Sequence, residues 1–458
     1  MNPFTGSIKY FITNLYTSVL ALVFYIVLAR YMTPSYLGEI ALVQLIAALV
    51  VSIFTALPGN LVMRDVAYNF ASGKDLRVAE VSLFFSTMIL PFMLIFLAFP
   101  KYVWISIPYF FLTVFTSYQS WILSGLGKFS EANIGTIISS TFRYGLAVIG
   151  VLMRNIYVIL AFWTAGALLS AVYYGFYVSV KPKWHFDIFK TLFSVGLPIY
   201  MSGIVSFIAG QGDRLVTYAL LGSYFLGIYQ LMAMISSVPN LLINSLSSAI
   251  LPASTHYYAK GKDMTYMSSL SFRFYALISL PIALIGLALS YPVVRYLFPA
   301  YLPGVKALEI LILFVTVTMP FISLSTFMIS AKKDYKPFVL IGSISAVEVV
   351  GVSYLLIPRY NVFGAAVAQA INALITSALY IFFSARQKVF VLDKKNCLTI
   401  FLILLSFFAL LSWEIALIVV LIGVKALGIV NKEDIAILER FSPKQIKKLM
   451  YVLKIFAR

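Results

Sequence analysis

Charged side chains inside long apolar stretches are the residues of this sequence that point most directly to chemistry. Three arginines and two carboxylates stand in such stretches: Arg143, Arg214, Arg273, Asp213 and Glu348. A charge near the centre of a membrane span costs roughly 2.5 kcal/mol or more, so it commonly faces a partner or a water-filled cavity. Guanidinium groups bind phosphate oxygens through paired hydrogen bonds. We therefore predict that these arginines line a cavity and bind an anionic headgroup.

Two more arginines complete the predicted phosphate-binding set. Arg30 stands at the outer end of the first predicted span and Arg64 at the inner end of the second. Alternatively, each of these arginines is an anchor at the membrane interface, with its alkyl chain in the bilayer and its guanidinium in water. For Arg143 and Arg214, the alternative is that they neutralise Glu348 or Asp213 across neighbouring helices. The sequence leaves these alternatives open.

The two carboxylates are candidates for carrying a coupling ion. Asp213 follows Gly210-Gln211-Gly212, and Pro198 and Gly203 precede it in the same predicted span. This run predicts a broken helix, of the kind that exposes carbonyls to ions in transporters. Asp213 or Glu348 would then bind a proton or Na⁺, and the alternative is a structural partner for an arginine. No other cofactor is expected.

The composition indicates a membrane protein and excludes several other classes. Of 458 residues, 62% are hydrophobic and only 11% are charged, whereas soluble domains carry about 25% charged residues. A single cysteine, Cys397, excludes an intrachain disulfide, and two distant histidines give no metal-site spacing. The string from Gly125 to Phe129 lacks the spacing of an ATP-binding loop.

Hydrophobic runs of about 20 residues, apolar on all faces, predict an all-α polytopic membrane protein with about 14 transmembrane helices. A stretch at 397–430, interrupted at Ser412-Trp413-Glu414, predicts a tight helical hairpin. The other twelve predicted spans are 8–29, 37–62, 80–99, 103–123, 132–153, 157–179, 192–217, 222–250, 266–290, 306–330, 338–357 and 362–384.

The positive charges predict the orientation of the chain. Most of the 34 Lys and Arg residues fall in loops on one side of these spans, together with the basic C-terminal tail, and only six fall on the other side. Cationic loops resist translocation, so both termini are predicted to be cytoplasmic, in a plasma-membrane protein. With no soluble fold to present these cations, nucleic acid is not an expected partner. Ser442-Pro443 predicts the start of an amphipathic helix on the inner leaflet, and the alternative is a solvated tail.

Two sets of six spans resemble each other along the chain. Tyr36-Leu37-Gly38 corresponds to Phe225-Leu226-Gly227, and Ala71-Ser72-Gly73-Lys74-Asp75 corresponds to Ala259-Lys260-Gly261-Lys262-Asp263. Repeats with an even number of spans lie the same way up and are related by an axis along the membrane normal. The predicted organisation is therefore two pseudo-symmetric six-helix lobes, two accessory helices and a tail, with the bounds 1–185, 186–390, 391–430 and 431–458.

Short motifs over residues 1 to about 390 resemble the polysaccharide-transporter family of lipid-linked oligosaccharide flippases. That family belongs to the superfamily of multidrug and toxin extruders and oligosaccharidyl-lipid/polysaccharide exporters. The motifs are Leu28-Ala29-Arg30-Tyr31-Met32-Thr33-Pro34, Tyr36-Leu37-Gly38, Gly59, Arg64-Asp65-Val66-Ala67, Gly196-Leu197-Pro198, Asp213-Arg214, Leu221-Gly222, Gly227-Ile228-Tyr229 and Leu251-Pro252.

The resemblance implies two lobes around a central cationic cavity that moves a polyprenyl- or dolichyl-(pyro)phosphate-linked sugar chain to the outer leaflet by alternating access. The arginines would bind the phosphate, polar and aromatic residues the glycan, and the lipid tail would stay in the bilayer. The expected protein is a transporter and not an enzyme, acts as a monomer, and has the lipid-linked oligosaccharide and membrane lipids as partners.

Two other functions are compatible with the sequence. A multidrug extruder of the same superfamily would export organic cations and favour carboxylates in its cavity, yet the arginines outnumber the carboxylates three to two. A membrane glycosyltransferase or polymerase would carry a substantial extracytoplasmic loop, and here the outward loops are short.

Overall fold

The computed structural model describes residues 3–73, 75–259, 264–331 and 336–426. Regular structure in these ranges is entirely helical, without a β-strand. Nine helical segments of the described chain are long and apolar enough to cross a membrane. The protein is therefore an all-α multi-pass membrane protein, as its composition predicts, and the figure of 14 spans stays a prediction. The tail predicted at 431–458 lies outside the described residues.

The chain divides into two compact units. The first contains the residues up to Gln211 together with Leu221–Gly227, and the second contains Gly212–Leu220 and the residues from Ile228 onward. The first unit thus extends beyond residue 185, where the sequence places the end of the first lobe. The four predicted domain ranges stay a prediction.

Ten α-helices begin in the first unit, and α10 continues into the second. They are α1 (Pro3–Tyr31), α2 (Pro34–Phe54), α3 (Gly59–Ala71), α4 (Arg77–Thr87), α5 (Lys101–Trp104), α6 (Ile107–Gly125), α7 (Phe129–Ser140), α8 (Val148–Leu152), α9 (Ile156–Tyr177) and α10 (Phe186–Ala259).

Several predicted spans of the first unit are interrupted. The span predicted at 37–62 ends at Phe54, and a new helix begins at Gly59. Pro58 explains this break, because proline disfavours helical backbone in the preceding residue and is tolerated at a helix start. A 3₁₀-helix over Leu90–Ala98, which contains Pro91, follows α4. A π-helical segment, Thr141–Leu146, lies between α7 and α8.

The two duplicated glycine motifs meet within the first unit. A Cβ on Gly38 would lie 1.8 Å from the Ser223 carbonyl oxygen, and a Cβ on Gly227 would lie 1.9 Å from that of Pro34. The contact is reciprocal, because Ser223 precedes Gly227 by four residues and Pro34 precedes Gly38 by four residues. The duplication that the sequence indicates stays a prediction.

Helices of the second unit follow the C-terminal part of α10. They are α11 (Met264–Leu297), α12 (Val305–Val317), α13 (Met319–Ala331), α14 (Lys336–Arg386), α15 (Lys394–Ser406) and α16 (Trp413–Ala426), with a 3₁₀-helix over Pro299–Gly304 and another over Phe407–Leu410.

Two of these long helices contain a reversal of the chain. Gly222 in α10 has φ 78° and ψ −172°, a conformation open to glycine. Asn361 in α14 has φ 50°, where asparagine is enriched among non-glycine residues. Ser345 donates a hydrogen bond to Asn372, although a straight helix would separate these two residues by about 40 Å. Each reversal therefore makes a helical hairpin.

The predicted interruption at Gly210-Gln211-Gly212 is wrong. Helix α10 continues through these residues and through Pro198, and its backbone leaves helical geometry at Gly222. Glycine inside a helix costs only about 1 kcal/mol, so neighbouring helices readily stabilise it. A positive φ, by contrast, ends the helix outright.

The accessory hairpin is present in the described part of 397–430. Helices α15 and α16 pack against each other and against α11. The chain turns at Leu411 and Ser412, where the sequence places the turn. Phe272 of α11 packs edge-to-face against Phe321 and Phe390 at 5.2 and 5.1 Å between ring centroids, which anchors the residues before α15 to the core of the second unit.

Candidate functional site

A polar cavity of about 320 Å³ lies inside the first unit. Four helices and the π-helical segment form its wall. Ten of the twelve lining side chains carry a hydroxyl group, one is a tryptophan and one is an arginine. The lining consists of Thr17, Thr116, Ser117, Ser120, Trp121, Thr136, Ser139, Ser140, Arg143, Tyr144, Ser170 and Tyr174. We call it the hydroxyl cavity.

Several of the lining hydroxyl groups donate their protons to backbone carbonyls of the wall helices. Thr116 and Ser117 each donate to a carbonyl one turn back, at 2.7 Å, and Thr136 donates to the Ala132 carbonyl at 3.0 Å. Such bonds allow serine and threonine in a membrane helix. Each hydroxyl oxygen retains acceptor capacity. The wall therefore presents acceptors to a ligand that is rich in hydroxyl donors.

Contacts between hydroxyl groups hold the wall helices together. Thr17 of α1 lies 3.0 Å from the Ser140 hydroxyl, and Tyr16 lies 2.8 Å from that of Thr141. Between α9 and α7, Ser170 donates to the Gly135 carbonyl at 2.8 Å. Polar side chains commonly join membrane helices in this way.

Arg143 brings the positive charge into this cavity. It lies in the π-helical segment Thr141–Leu146, and π-helical turns frequently occur at functional sites. Aromatic rings surround its guanidinium. The distances from Cζ to the ring centroids are 4.8 Å for Trp163, 5.0 Å for Tyr144 and 5.6 Å for Tyr109. Cation–π attraction of this kind contributes about 2 kcal/mol or more in a desolvated site.

The aromatic contacts leave the positive charge of Arg143 available. Within the described residues of the first unit, no carboxylate forms an ion pair with it. Its Nε is buried and has no hydrogen-bond partner among the described residues. Ring faces hold a cation in position without neutralising it. The site therefore suits an anion such as a phosphate, whose oxygens accept charge-assisted hydrogen bonds.

Asp213 has a separate polar environment in the second unit. The carboxylate is buried, with only 1% of the residue exposed. Oδ2 accepts a hydrogen bond from the Tyr229 hydroxyl, and Oδ1 has no partner among the described residues. A straight helix would separate these residues by about 24 Å, so the reversal at Gly222 makes the contact.

Three other candidates lie elsewhere in the second unit. Arg214 follows Asp213 on α10 and is half-buried. Arg273 is only 3% exposed, and its Nε donates to the Ser269 carbonyl at 3.2 Å. Both carboxylate oxygens of Glu348 are buried and have no hydrogen-bond partner within the described ranges. None of the three lines the hydroxyl cavity.

The remaining candidates, Arg30 and Arg64, are exposed. Arg30 lies in the last turn of α1, where a cation complements the helix dipole. Arg64 has 64% of its side chain exposed, and its Nε donates to Asp65 at 2.7 Å. Neither side chain lines the hydroxyl cavity, and their role in phosphate binding stays a prediction.

The hydroxyl groups are the part of the site that the sequence analysis missed. A signal was present, because Thr116, Ser117 and Ser120 share one helical face, as do Thr136, Ser139 and Ser140. Serine and threonine also occur throughout membrane helices with only local bonds. Only the packing of four helices distinguishes a shared polar face from isolated hydroxyls.

Comparison with known proteins identifies the family and the fold. A family model described as "Polysaccharide biosynthesis protein" matches residues 27–301, more than half of the chain. The fold is similar to the lipid II flippase MurJ in an inward closed conformation, with a TM-score of 0.69, 17% identity and coverage of 90% of this chain and 97% of that chain.

The fold is also similar to a multidrug resistance MATE family transporter of the MOP superfamily in an inward-facing conformation. Here the TM-score is 0.66 at 16% identity, covering 82% of this chain and 94% of that chain. At such identities the likeness shows the fold and not the substrate. Comparison with curated proteins gave no match.

Proposed function

Because the chain belongs to the polysaccharide biosynthesis protein family, we propose that it is a flippase. It moves a polyprenyl- or dolichyl-(pyro)phosphate-linked oligosaccharide from the cytoplasmic to the outer leaflet by alternating access. The protein acts at the plasma membrane as a monomer with both termini cytoplasmic. MurJ, whose fold is similar, is named a lipid II flippase, and this similarity supports the proposal.

The hydroxyl cavity is the observation that carries this proposal. A phosphate and sugars cannot cross hydrocarbon unaided, whereas a polyprenyl tail need not leave it. A path for such a molecule needs a cation for the phosphate and hydrogen-bonding groups for the glycan. Arg143 supplies the cation, and ten hydroxyl-bearing side chains line the same space.

The multidrug extruder is the competing function, and the cavity lining argues against it. An organic cation needs a negative group or an open ring face to replace its hydration. The lining of the hydroxyl cavity contains no carboxylate, and a cation already occupies the nearby ring faces of Trp163, Tyr144 and Tyr109. A second cation would meet electrostatic repulsion there.

The central test is a leaflet-translocation assay with the purified full chain in vesicles. A fluorescent polyprenyl-pyrophosphate oligosaccharide is placed in one leaflet, and a membrane-impermeant quencher reports its transfer. We expect transfer in protein-containing vesicles and none in protein-free vesicles. Accumulation of an organic cation such as ethidium without any glycolipid transfer would refute the flippase and favour the extruder.

Coupling to a proton or Na⁺ gradient is the second element of the proposal, carried by Asp213 and Glu348. Buried carboxylate oxygens without hydrogen-bond partners are costly when ionised. Uptake of a proton or a cation removes that cost. Oδ1 of Asp213 and both oxygens of Glu348 are in this situation among the described residues, so each is suited to bind the coupling ion in one state and release it in another.

Gradient-driven assays test this coupling. We expect Glu348→Gln to abolish the stimulation of glycolipid transfer by an imposed proton or Na⁺ gradient, because the amide cannot titrate or supply a charge. Glu414→Gln is the matched control, since Glu414 is exposed and accepts a bond from Ser412 at 3.1 Å. Full stimulation in both the Glu348→Gln and Asp213→Asn variants would refute coupling through these carboxylates.

A further inference from the structure

Trp121 differs in kind from the rest of the hydroxyl cavity. Every other lining side chain offers a hydroxyl group or, at Arg143, a positive charge. Tyr144 and Tyr174 also carry rings, but the Tyr144 ring packs against the Arg143 guanidinium and the Tyr174 hydroxyl donates to the Ala132 carbonyl. Trp121 is the aromatic lining residue without a hydroxyl group. Two classes of group in one cavity indicate a ligand that is itself both polar and apolar.

The indole is held in place by its neighbours in the first unit. A Cβ on Gly59, the first residue of α3, would lie 2.2 Å from Cε2 of Trp121. The backbone of α3 can therefore approach the ring only because residue 59 has no side chain. The ring of Tyr118, which is fully buried, meets Trp121 edge-on at 5.2 Å and 78°. Trp121 is only partly buried and is one of the residues that line the hydroxyl cavity.

A pyranose ring has the matching chemistry. Its hydroxyl groups lie mainly around its edge, and its faces carry C–H groups with a slight positive charge. The negative face of an aromatic ring attracts such groups, while acceptors on the surrounding wall bind the hydroxyl edge. A lipid tail would need no hydroxyl wall, and a phosphate would need no aromatic surface.

We propose that Trp121 is the platform on which a sugar of the carried glycan stacks, and that the hydroxyl cavity therefore selects a glycosylated carrier over the bare carrier phosphate. This inference rests on the proposed flippase function. It assigns sugar recognition to Trp121 and charge recognition to Arg143, so the two functions can be separated experimentally.

A pair of probes that differ only in the sugar measures the two contributions. The probes are a short-chain polyprenyl pyrophosphate with and without a single hexose, made in glucosyl and galactosyl forms. Binding is measured on the purified full chain. We expect the wild type to bind at least one glycosylated probe about tenfold more tightly than the sugar-free probe.

Trp121→Leu is expected to bring this ratio close to one while the affinity for the sugar-free probe stays unchanged. Trp121→Phe keeps an aromatic surface and is expected to retain most of the preference. Gly59→Ala tests the same position without altering the indole, because the added methyl displaces the ring, and we expect a reduced ratio. Trp104→Leu, an exposed tryptophan outside the cavity lining, is the control and keeps the wild-type ratio.

The outcomes separate this inference from the proposed function. A wild-type ratio in Trp121→Leu, or equal affinities of the wild type for both probes, overturns the sugar platform and leaves the phosphate site intact. Failure of the wild type to bind either probe overturns both proposals. Equal weakening of both probes by Arg143→Gln, with the ratio unchanged, supports the division of roles between the two residues.

Discussion

At the scale of single residues, the surroundings of the buried charged groups Arg143 and Asp213 differ. Arg143 is held by aromatic rings, which position its charge without neutralising it. Asp213 is held by one hydroxyl donor at Oδ2. The first arrangement leaves a cation ready for an anion, and the second leaves a carboxylate with remaining capacity to bind a proton or a cation.

The Tyr229–Asp213 bond predicts a measurable stability effect. Tyr229→Phe removes the donor and leaves the buried carboxylate without its bond, which we expect to lower the free energy of unfolding by about 1–3 kcal/mol. Thermal unfolding of the purified protein measures the change. In an Asp213→Asn background, Tyr229→Phe is expected to lower the free energy of unfolding by less, because residue 213 then carries no negative charge that needs a hydrogen-bond donor. An equal cost in both backgrounds would contradict this assignment.

At the scale of helices, the reciprocal contact of Gly38 and Gly227 predicts that neither position tolerates a side chain. A methyl group at either glycine would meet a carbonyl oxygen of the opposite repeat within 2 Å. We expect Gly38→Ala and Gly227→Ala each to lower the free energy of unfolding by about 1–3 kcal/mol.

Gly203→Ala provides the matched control for this packing. Gly203 is inside α10, and apart from its own helical turns and chain neighbours no described atom lies within 4 Å of a Cβ at this position. Alanine there is expected to be neutral or to stabilise by about 0.5–1 kcal/mol, since glycine loses more backbone entropy in a helix. Equal effects at all three glycines in thermal unfolding would refute the packing argument.

Part of the helical structure can be predicted from the sequence. Hydrophobic length predicts the spanning helices and places Arg143 inside one of them. It does not predict the π-helical segment that carries Arg143. A π-helical turn contains one residue more than an α-helical turn, and hydrophobic length carries no signal for that extra residue. The two glycines at Gly210 and Gly212 predict a helix break there, but α10 leaves helical geometry at Gly222. Glycine content alone cannot identify the position, because only the folded chain shows which glycine takes a positive φ.

At the scale of the whole molecule, the distribution of positive charge predicts the orientation in the membrane. Cys397 provides a direct test, because it is the single cysteine of the chain and lies exposed near the start of α15. With both termini cytoplasmic, Cys397 is expected on the cytoplasmic side. An impermeant maleimide should label it in inverted vesicles and not in intact cells, with Cys397→Ser as the unlabelled control. Labelling in intact cells would reverse the predicted orientation.

The transport path depends most directly on the charge of Arg143 in the hydroxyl cavity. The decisive measurement compares glycolipid translocation by Arg143→Gln and wild-type protein in the same vesicles. Arg295→Gln is the control, because Arg295 is exposed and donates to the Tyr291 hydroxyl at 3.2 Å. We expect the initial rate to fall about tenfold or more in Arg143→Gln and to stay at the wild-type value in the control. A wild-type rate in a stably folded Arg143→Gln protein would contradict the account.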